Sequence, residues 1–579
     1  MAIVRNLSRA LVVPLLLLLG ACGDEPAPTG TTPAPAASRP EAAPVSPSAV
    51  PSATSADPAA RAAEAVARLS DEDLAGQVLM PYAYGSDATK VDAANARGNQ
   101  GLAGVDTPAQ MIEKYRLGGL ILVGFTPGDP TGKTNPTTNV ENPKQVRALT
   151  EGLQQAAGRL PAAAPLMIGM DQEYGTVTRV TDGVTMLPSA MAFGAAGQPA
   201  LTEAAWRAAG EEIAAMGVTV DFAPVADTLS PSGAGVIGSR SFGSDPKANA
   251  AQVAAAVRGL QSAGVAAALK HFPGHGHTTA DSHDELPLIS QTRQAWQAQD
   301  VPPFAAGVSA GAGVVMSGHL DLQAVDKGVP ATFSHKIMTE VLRGQLKFTG
   351  VAVTDAMNMA PAKKWPAGEA AVRALNAGND MLLMPPDIGA ARDGILAGLK
   401  NGSLKRERLT EAVTRILTLK FTTARTPQPD LTTIGSDAHQ RAVSALDAAA
   451  VTVLRGKCAG PLVTGPVSVT APASREVARV ALVKALQNAG VPVQASGGSV
   501  IRLVGYGDAR VDLDDTAAVT VMMDAPRLLA VAQTPTLVAT YSSSQLSLTA
   551  LAAVIAGKAK APGRSPIAVG NLPRSACVK

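Results

Sequence analysis

Four of the seven histidines in this 579-residue chain, His271, His275, His277 and His283, lie between Lys270 and Asp284, beside Asp281, Asp284 and the glycines Gly274 and Gly276. Histidine is the side chain whose ordinary pKa lets it both give and take a proton near neutrality, and a neighbouring carboxylate can fix its tautomer and stabilise its charged form. Such a stretch can therefore move protons. Clustered histidines with an aspartate can also hold zinc, with a metal-bound water as nucleophile. Against a zinc centre, no His-Glu-x-x-His pattern is present, and Pro273, Gly274 and Gly276 disfavour presenting ligands from one helix.

The elements that must position this segment can be read from hydropathy. Between about residues 60 and 425, short apolar runs alternate with stretches of helical period. Strands are predicted near 77–81, 119–124, 166–170, 218–222, 265–270, 313–317, 350–354 and 380–384, with helices between them, for instance over 201–216, 246–262, 290–307 and 334–346. Eight strand-and-helix units point to an α/β fold, a (β/α)8 barrel of the TIM type. Active sites of such barrels sit at the C-terminal ends of the strands. Asp171, Asp221, Lys270, His271, His319 and Asp355 all fall at or just past predicted strand ends, so residues scattered over almost 200 positions are expected to converge on one mouth.

The segment Lys270-His271-Phe272-Pro273-Gly274-His275-Gly276, continuing through Asp281-Ser282-His283 to Leu286-Pro287, resembles the signature of the β-N-acetylglucosaminidase branch of glycoside hydrolase family 3. Asp171-Gln172-Glu173, Asp221-Phe222-Ala223-Pro224-Val225, Ile237-Gly238-Ser239-Arg240-Ser241-Phe242 and the run from Phe348 to Asp355 match in the same order, and the likeness covers roughly residues 65–420. The resemblance implies a retaining, exo-acting β-N-acetylglucosaminidase with no cofactor. Asp355 would be the nucleophile and His283, paired with Asp281, the acid/base. Residues two apart in an extended loop project to one side, so Asp281 can hold the His283 ring while Ser282 faces away. By the same resemblance Asp171, Arg179, Arg240, Lys270 and His271 would bind the N-acetylglucosamine ring. Arg240 and Lys270 have a structural alternative as ion-pair partners at the barrel rim, and His275 and His277, in a glycine-rich loop, are expected to cap the turn and not to act in catalysis.

Three positions depart from the family pattern. A second glycine and an arginine are usual where this chain has Tyr174 and Thr176, and a second aspartate is frequent where it has Ala356. Other readings stay open: a family 3 β-glycosidase of different sugar preference, a glycoside phosphorylase using phosphate as acceptor, a zinc-dependent hydrolase, or an inactive sugar-binding protein.

The ends of the chain speak to location. Arg5 and Arg9 precede an apolar run too short to span a bilayer, and Leu19-Gly20-Ala21-Cys22 resembles the bacterial lipobox. Residues 1–22 are thus expected to be a lipoprotein signal peptide with Cys22 lipidated as a membrane anchor, or else a plain secretory signal. Residues 23–60, rich in Pro, Ala, Ser and Thr, read as a disordered tether. Extended at roughly 3.1 Å per residue, it would reach on the order of 100 Å. The barrel is expected over 61–430 and a smaller α/β sandwich over 444–579, where apolar runs and helical stretches alternate again. Cys458 and Cys577, the cysteines left after Cys22, are expected to pair in an exported protein. A net charge of +2 gives no electrostatic footprint for nucleic acid. The expected partner is a glycan containing N-acetylglucosamine, and the sequence sets no oligomeric state.

Overall fold

The computed structural model describes residues 57–124, 129–231 and 235–578. The expected signal peptide, Cys22 and nearly all of the expected tether lie outside the described residues. The described part begins in a helix, Pro58–Val66, which Asp57 caps at its N-terminus. Its first turn falls inside the stretch assigned to the tether, so the folded body starts a few residues earlier than the composition suggested.

Six strands, Gly119–Ile121, Met167–Met170, Val220–Asp221, Ala266–Phe272, Val314–Ser317 and Val351–Thr354, pair side by side in parallel and in chain order. A further parallel pair, Leu79–Met80 with Leu382–Leu383, closes the ring. Met381 bridges to Val353 on one side, and the Ile121 amide donates to the Pro81 carbonyl at 3.0 Å on the other. All eight strands fall where the hydropathy placed them. Most are shorter than predicted, while the fifth runs on through Lys270 and His271 to Phe272.

The outer helices pack closely because their contact residues are small. The helices Pro199–Ala215 and Pro246–Ser262 meet at Gly210 and Gly259, where an added Cβ at Gly259 would lie 2.6 Å from the Glu203 carbonyl oxygen. The Asp245 carboxylate caps the second of these helices, and Pro246 sits at its first position. One predicted helix, over 290–307, is two: Arg293–Gln299 and Val301–Ser309. Pro302 and Pro303 cannot donate into the preceding turn, so the helix restarts at Asp300.

The second domain is a five-stranded sheet, ordered Thr452–Arg455, Thr536–Ala539, Val519–Met522, Ser499–Val504, Val467–Thr470, antiparallel only at its first pair. Alternate residues serve two cores. Val453, Val521 and Val538 face the helices Glu476–Asn488 and Gln545–Ile555, while Leu454, Met522 and Leu537 pack with Met191, Val225 and Ile237 of the barrel. The barrel therefore covers one face of the sheet. Cys458 and Cys577 form a disulfide with Cα atoms 5.2 Å apart. At the hinge between domains the buried Glu212 carboxylate accepts from the Thr185 and Gly435 amides and from Nδ1 of His439.

Candidate active site

The strand ends surround one pocket at the C-terminal face of the barrel. Asp171, Arg179, Arg240, Lys270, His271, Asp281, His283 and Asp355 all line it. Asp221 does not. Its carboxyl is buried beneath the mouth, accepts from the Gln172 amide at 2.9 Å, and is pushed well above the usual range by burial. The expectation that this strand-end aspartate faces the mouth is corrected: it supports the loop that carries Asp171.

The floor is an ionic lattice. Lys270, at the end of the fifth strand, places Nζ 2.7 Å from Asp171 and 2.6 Å from Glu173. Arg240 makes a fork onto both oxygens of Glu173, at 2.7 and 2.8 Å. Arg179 bonds Asp129 at 2.6 Å, Thr131 at 3.0 Å and Asp171 at 3.3 Å. Burial alone would raise the Glu173 pKa, yet Arg240 and Lys270 hold it well below the usual carboxylate range. Burial would likewise depress Lys270, but Asp171 and Glu173 more than offset it and raise it. Arg240 and Lys270 are thus ion-paired and pocket-facing at once, so the two sequence readings of them are not exclusive. Such a lattice fixes the donors and acceptors before any ligand arrives.

The histidines part company. Asp227 takes His271 in hand: one oxygen accepts from the His271 and His275 amides at 3.1 and 2.8 Å, and the other lies 2.8 Å from His271 Nδ1. That leaves His271 Nε2 beside Arg240, 3.4 Å away. His275 is buried between Thr278 and Ser282, with Nε2 3.1 Å from the Ser282 hydroxyl. Burial, with His271 nearby, pulls its pKa down to about 4. His277 turns instead to Asp300, the residue at which the helix restarts, at 3.0 Å. Among the described residues, no group of three or more His, Cys, Asp or Glu side chains is placed to hold a metal ion.

Past these residues the chain runs through a loop with both ends pinned. Trp296 Nε1 donates to the Pro273 carbonyl at 2.9 Å, and Leu288–Ile289 pairs with Asp321–Leu322. On that loop His283 Nδ1 lies 2.6 Å from Asp281 Oδ1, which also accepts the His283 amide at 3.0 Å. The hydrogen bond from His283 holds the Asp281 carboxyl well below its usual range. Ser282 faces inward to His275, away from the pair, as the two-residue spacing predicts.

Across the pocket Asp355 follows the seventh strand. Its amide donates to the Ser317 carbonyl, and its Oδ1 accepts from the Ala356 amide at 2.7 Å. Enclosure would raise its pKa, but His271, His319 and His283 around it bring it below the ordinary value. His319 lies buried behind, bonded to Thr332 and the Ala356 carbonyl, and its pKa is lowered by burial. The site therefore offers an ionised carboxylate and an Asp-supported imidazole on the wall of one pocket.

The model of the glycosyl hydrolase family 3 N-terminal domain matches residues 86–419. The chain belongs to glycosyl hydrolase family 3. Among relatives, beta-hexosaminidase A of Pseudoalteromonas piscicida is 33% identical over 388 residues, 61% of this chain and 62% of that protein, so the match spans less than two thirds of its length. The beta-hexosaminidase of Pseudomonas aeruginosa is 36% identical over 296 residues, 50% of this chain and 81% of that one. A family 3 beta-N-acetylglucosaminidase structure from Paenibacillus sp. str. FPU-7 superposes with a TM-score of 0.74 at 29% identity, covering 87% of this chain and 99% of that one.

The departures from the family 3 pattern can now be placed. Tyr174 sits at φ 65°, a region that favours glycine, and its ring packs edge-on against Trp206 at 6.0 Å, away from the pocket. Thr176 lines a different hollow beside the second domain. Sequence reasoning missed Asp129, Glu173 as the common partner of two cations, and Asp227. Glu173 stood inside a recognised motif, and Asp227 is two residues past one, where a carboxylate in an apolar stretch was the available signal. Asp129, in a loop without periodicity, had none.

Proposed function

We propose that this protein is a retaining exo-β-N-acetylglucosaminidase that removes terminal N-acetylglucosamine from cell-wall muropeptides or chitin oligosaccharides. The observation that supports this most is Asp355 and the Asp281–His283 pair lining one pocket over an ionic floor. In this reading Asp171, Arg179, Arg240, Lys270 and His271 hold the sugar ring. His283 gives its Nε2 proton to the departing glycosidic oxygen while an Asp355 oxygen attacks the anomeric carbon, forming a glycosyl ester. Asp281 offsets the charge of the imidazolium before the transfer. In the second step His283 takes a proton from water, which attacks the anomeric carbon and releases Asp355, so the sugar leaves with its original configuration. The names and likeness of the relatives support the sugar preference. We place the enzyme outside the cytoplasm on a Cys22 lipid anchor, on the strength of the lipobox-like sequence.

The test is hydrolysis of aryl β-N-acetylglucosaminide beside aryl β-glucoside, with and without chelator and with added phosphate. Chelator-resistant release of free N-acetylglucosamine, lost by about 10⁴-fold in Asp355→Ala, is the expected result. Equal rates on both sugars, or activity that survives the loss of Asp355, would overturn the reading. Fatty-acid labelling of the expressed chain, abolished by Cys22→Ser, tests the anchor.

A further inference from the structure

A hollow of about 620 Å³ lies at the opposite end of the barrel from the catalytic pocket, around the N-terminal ends of three strands. Leu166, Met167, Val218 and Val220 line it from the strands, and Leu419 and Lys420 line it from the helix Arg406–Thr423. The segment that leaves this helix is tied down, because Gln428 donates to the Ala214 carbonyl of the helix Pro199–Ala215 at 3.1 Å. Two glycines keep the neighbouring turns thin. A Cβ at Gly217 would lie 2.2 Å from Thr150 Oγ1, and one at Gly264 would lie 2.6 Å from Thr426 Cβ. None of the residues assigned above to catalysis or sugar binding lines this hollow.

Its walls are largely apolar, yet they include a buried cation. Lys420 is 3% exposed, and its Nζ donates to Gln77 Oε1 at 2.8 Å. The Gln77 amide is itself fixed, since its Nε2 donates to the Arg116 and Leu117 carbonyls at 2.9 and 3.3 Å. A neutral amide supplies one acceptor for an ammonium that has three protons, and it supplies no counter-charge. Among the described residues no carboxylate pairs with Lys420. Glu151, which also lines the hollow, is 54% exposed and is bound to Arg147 at 2.5 Å. Burial accordingly pulls the Lys420 ammonium down to about 7. An uncompensated charge in an apolar surrounding favours an anionic partner.

We propose that this hollow is a second binding site, for a small amphiphile that pairs one carboxylate with Lys420 and lays an apolar tail along Leu166, Val218 and Leu419. Such a molecule, of the size of a medium-chain fatty acid, supplies the missing charge and covers the apolar wall together. A hollow of this volume, mostly apolar with few polar groups, has the character of small-molecule sites. The site is independent of the glycosidase reading, because it shares no residue with the catalytic pocket.

The experiment is calorimetric titration of the full-length protein with octanoate and with octan-1-ol, which has the same tail and no charge. Octanoate should bind at least about tenfold more tightly than octan-1-ol. Lys420→Met keeps an apolar stem and removes the charge, so octanoate should weaken by about tenfold or more while octan-1-ol stays within about threefold. Thr423 also lines the hollow, and its hydroxyl bonds only carbonyls of its own helix. Thr423→Trp, which retains Lys420 and fills the space, should weaken both ligands by about tenfold or more. Octanoate that binds no more tightly than octan-1-ol to the wild type, or equally well to wild type and either variant, would overturn the proposal.

Discussion

His275 shows how one buried ring can set the behaviour of a loop. Its ring meets His271 edge-on, and it ties Ser282 and so steadies the two residues that flank it, Asp281 and His283. Its pKa falls from the ordinary 6.5 to about 4, because burial disfavours the charged ring. A folded pKa below the unfolded one gives stability that is complete above about 6.5 and is lost as pH falls through about 4, at most about 3 kcal/mol on a simple linkage estimate. Melting temperatures from pH 7 to pH 4 should therefore drop more steeply in wild type than in His275→Gln; parallel curves would contradict the assignment. The role of His283 is tested separately. His283→Ala should cost about 10²- to 10⁴-fold on a disaccharide and far less on a substrate with a good leaving group, which needs no proton. The family resemblance singled out His283 and Asp281, and their contact was legible because two-residue spacing along one loop is local information. The sequence concealed the Glu173 and Asp227 partnerships, because each joins residues far apart in the chain.

At the level of elements, the eight barrel strands were legible from apolar runs, and the helix break at Asp300 was not. Helical period continues through 290–307, and the prolines that interrupt it also suit the first turn of a new helix, so the pattern alone favoured one long helix. A second element-level feature lies where the helix Asp437–Ala450 meets Gln545–Ile555. Ser547 donates to Asp447 Oδ1 at 2.6 Å, and Oδ2 has no partner among the described residues. Burial pushes the Asp447 carboxyl up to about 7. A raised carboxyl gives stability that is full below the unfolded pKa near 4 and is lost as pH rises through about 7. Asp447→Asn should thus raise the melting temperature at pH 8 by several degrees and leave it nearly unchanged at pH 4; equal effects at both would show that ionisation is not the cause.

For the whole molecule, length alone called for two domains, and a renewed alternation of apolar runs and helical stretches suggested where the second begins. Nothing in the sequence showed that the second sheet would use the barrel as its other layer, because the same alternating valines and leucines would serve a helix equally well. The bridge from Cys458 to Cys577 spans most of that domain, its ends 119 positions apart in the sequence. Closing a loop of that size removes about 4 to 5 kcal/mol worth of freedom from the unfolded chain in the entropic model. Reductant, or Cys577→Ser, should lower the unfolding transition of the second domain while the barrel transition moves less; a shift in neither would place the bridge in doubt. The floor of the pocket carries a different consequence. Arg179, Arg240 and Lys270 stand opposite Asp129, Asp171 and Glu173, three charges against three, buried except for Asp171, which is partly open to the pocket. An electroneutral cradle exerts little net pull on an uncharged sugar at long range. Its grip on the first ring should therefore be nearly indifferent to ionic strength, and a glycone bearing its own charge would have to unbalance the lattice in order to enter.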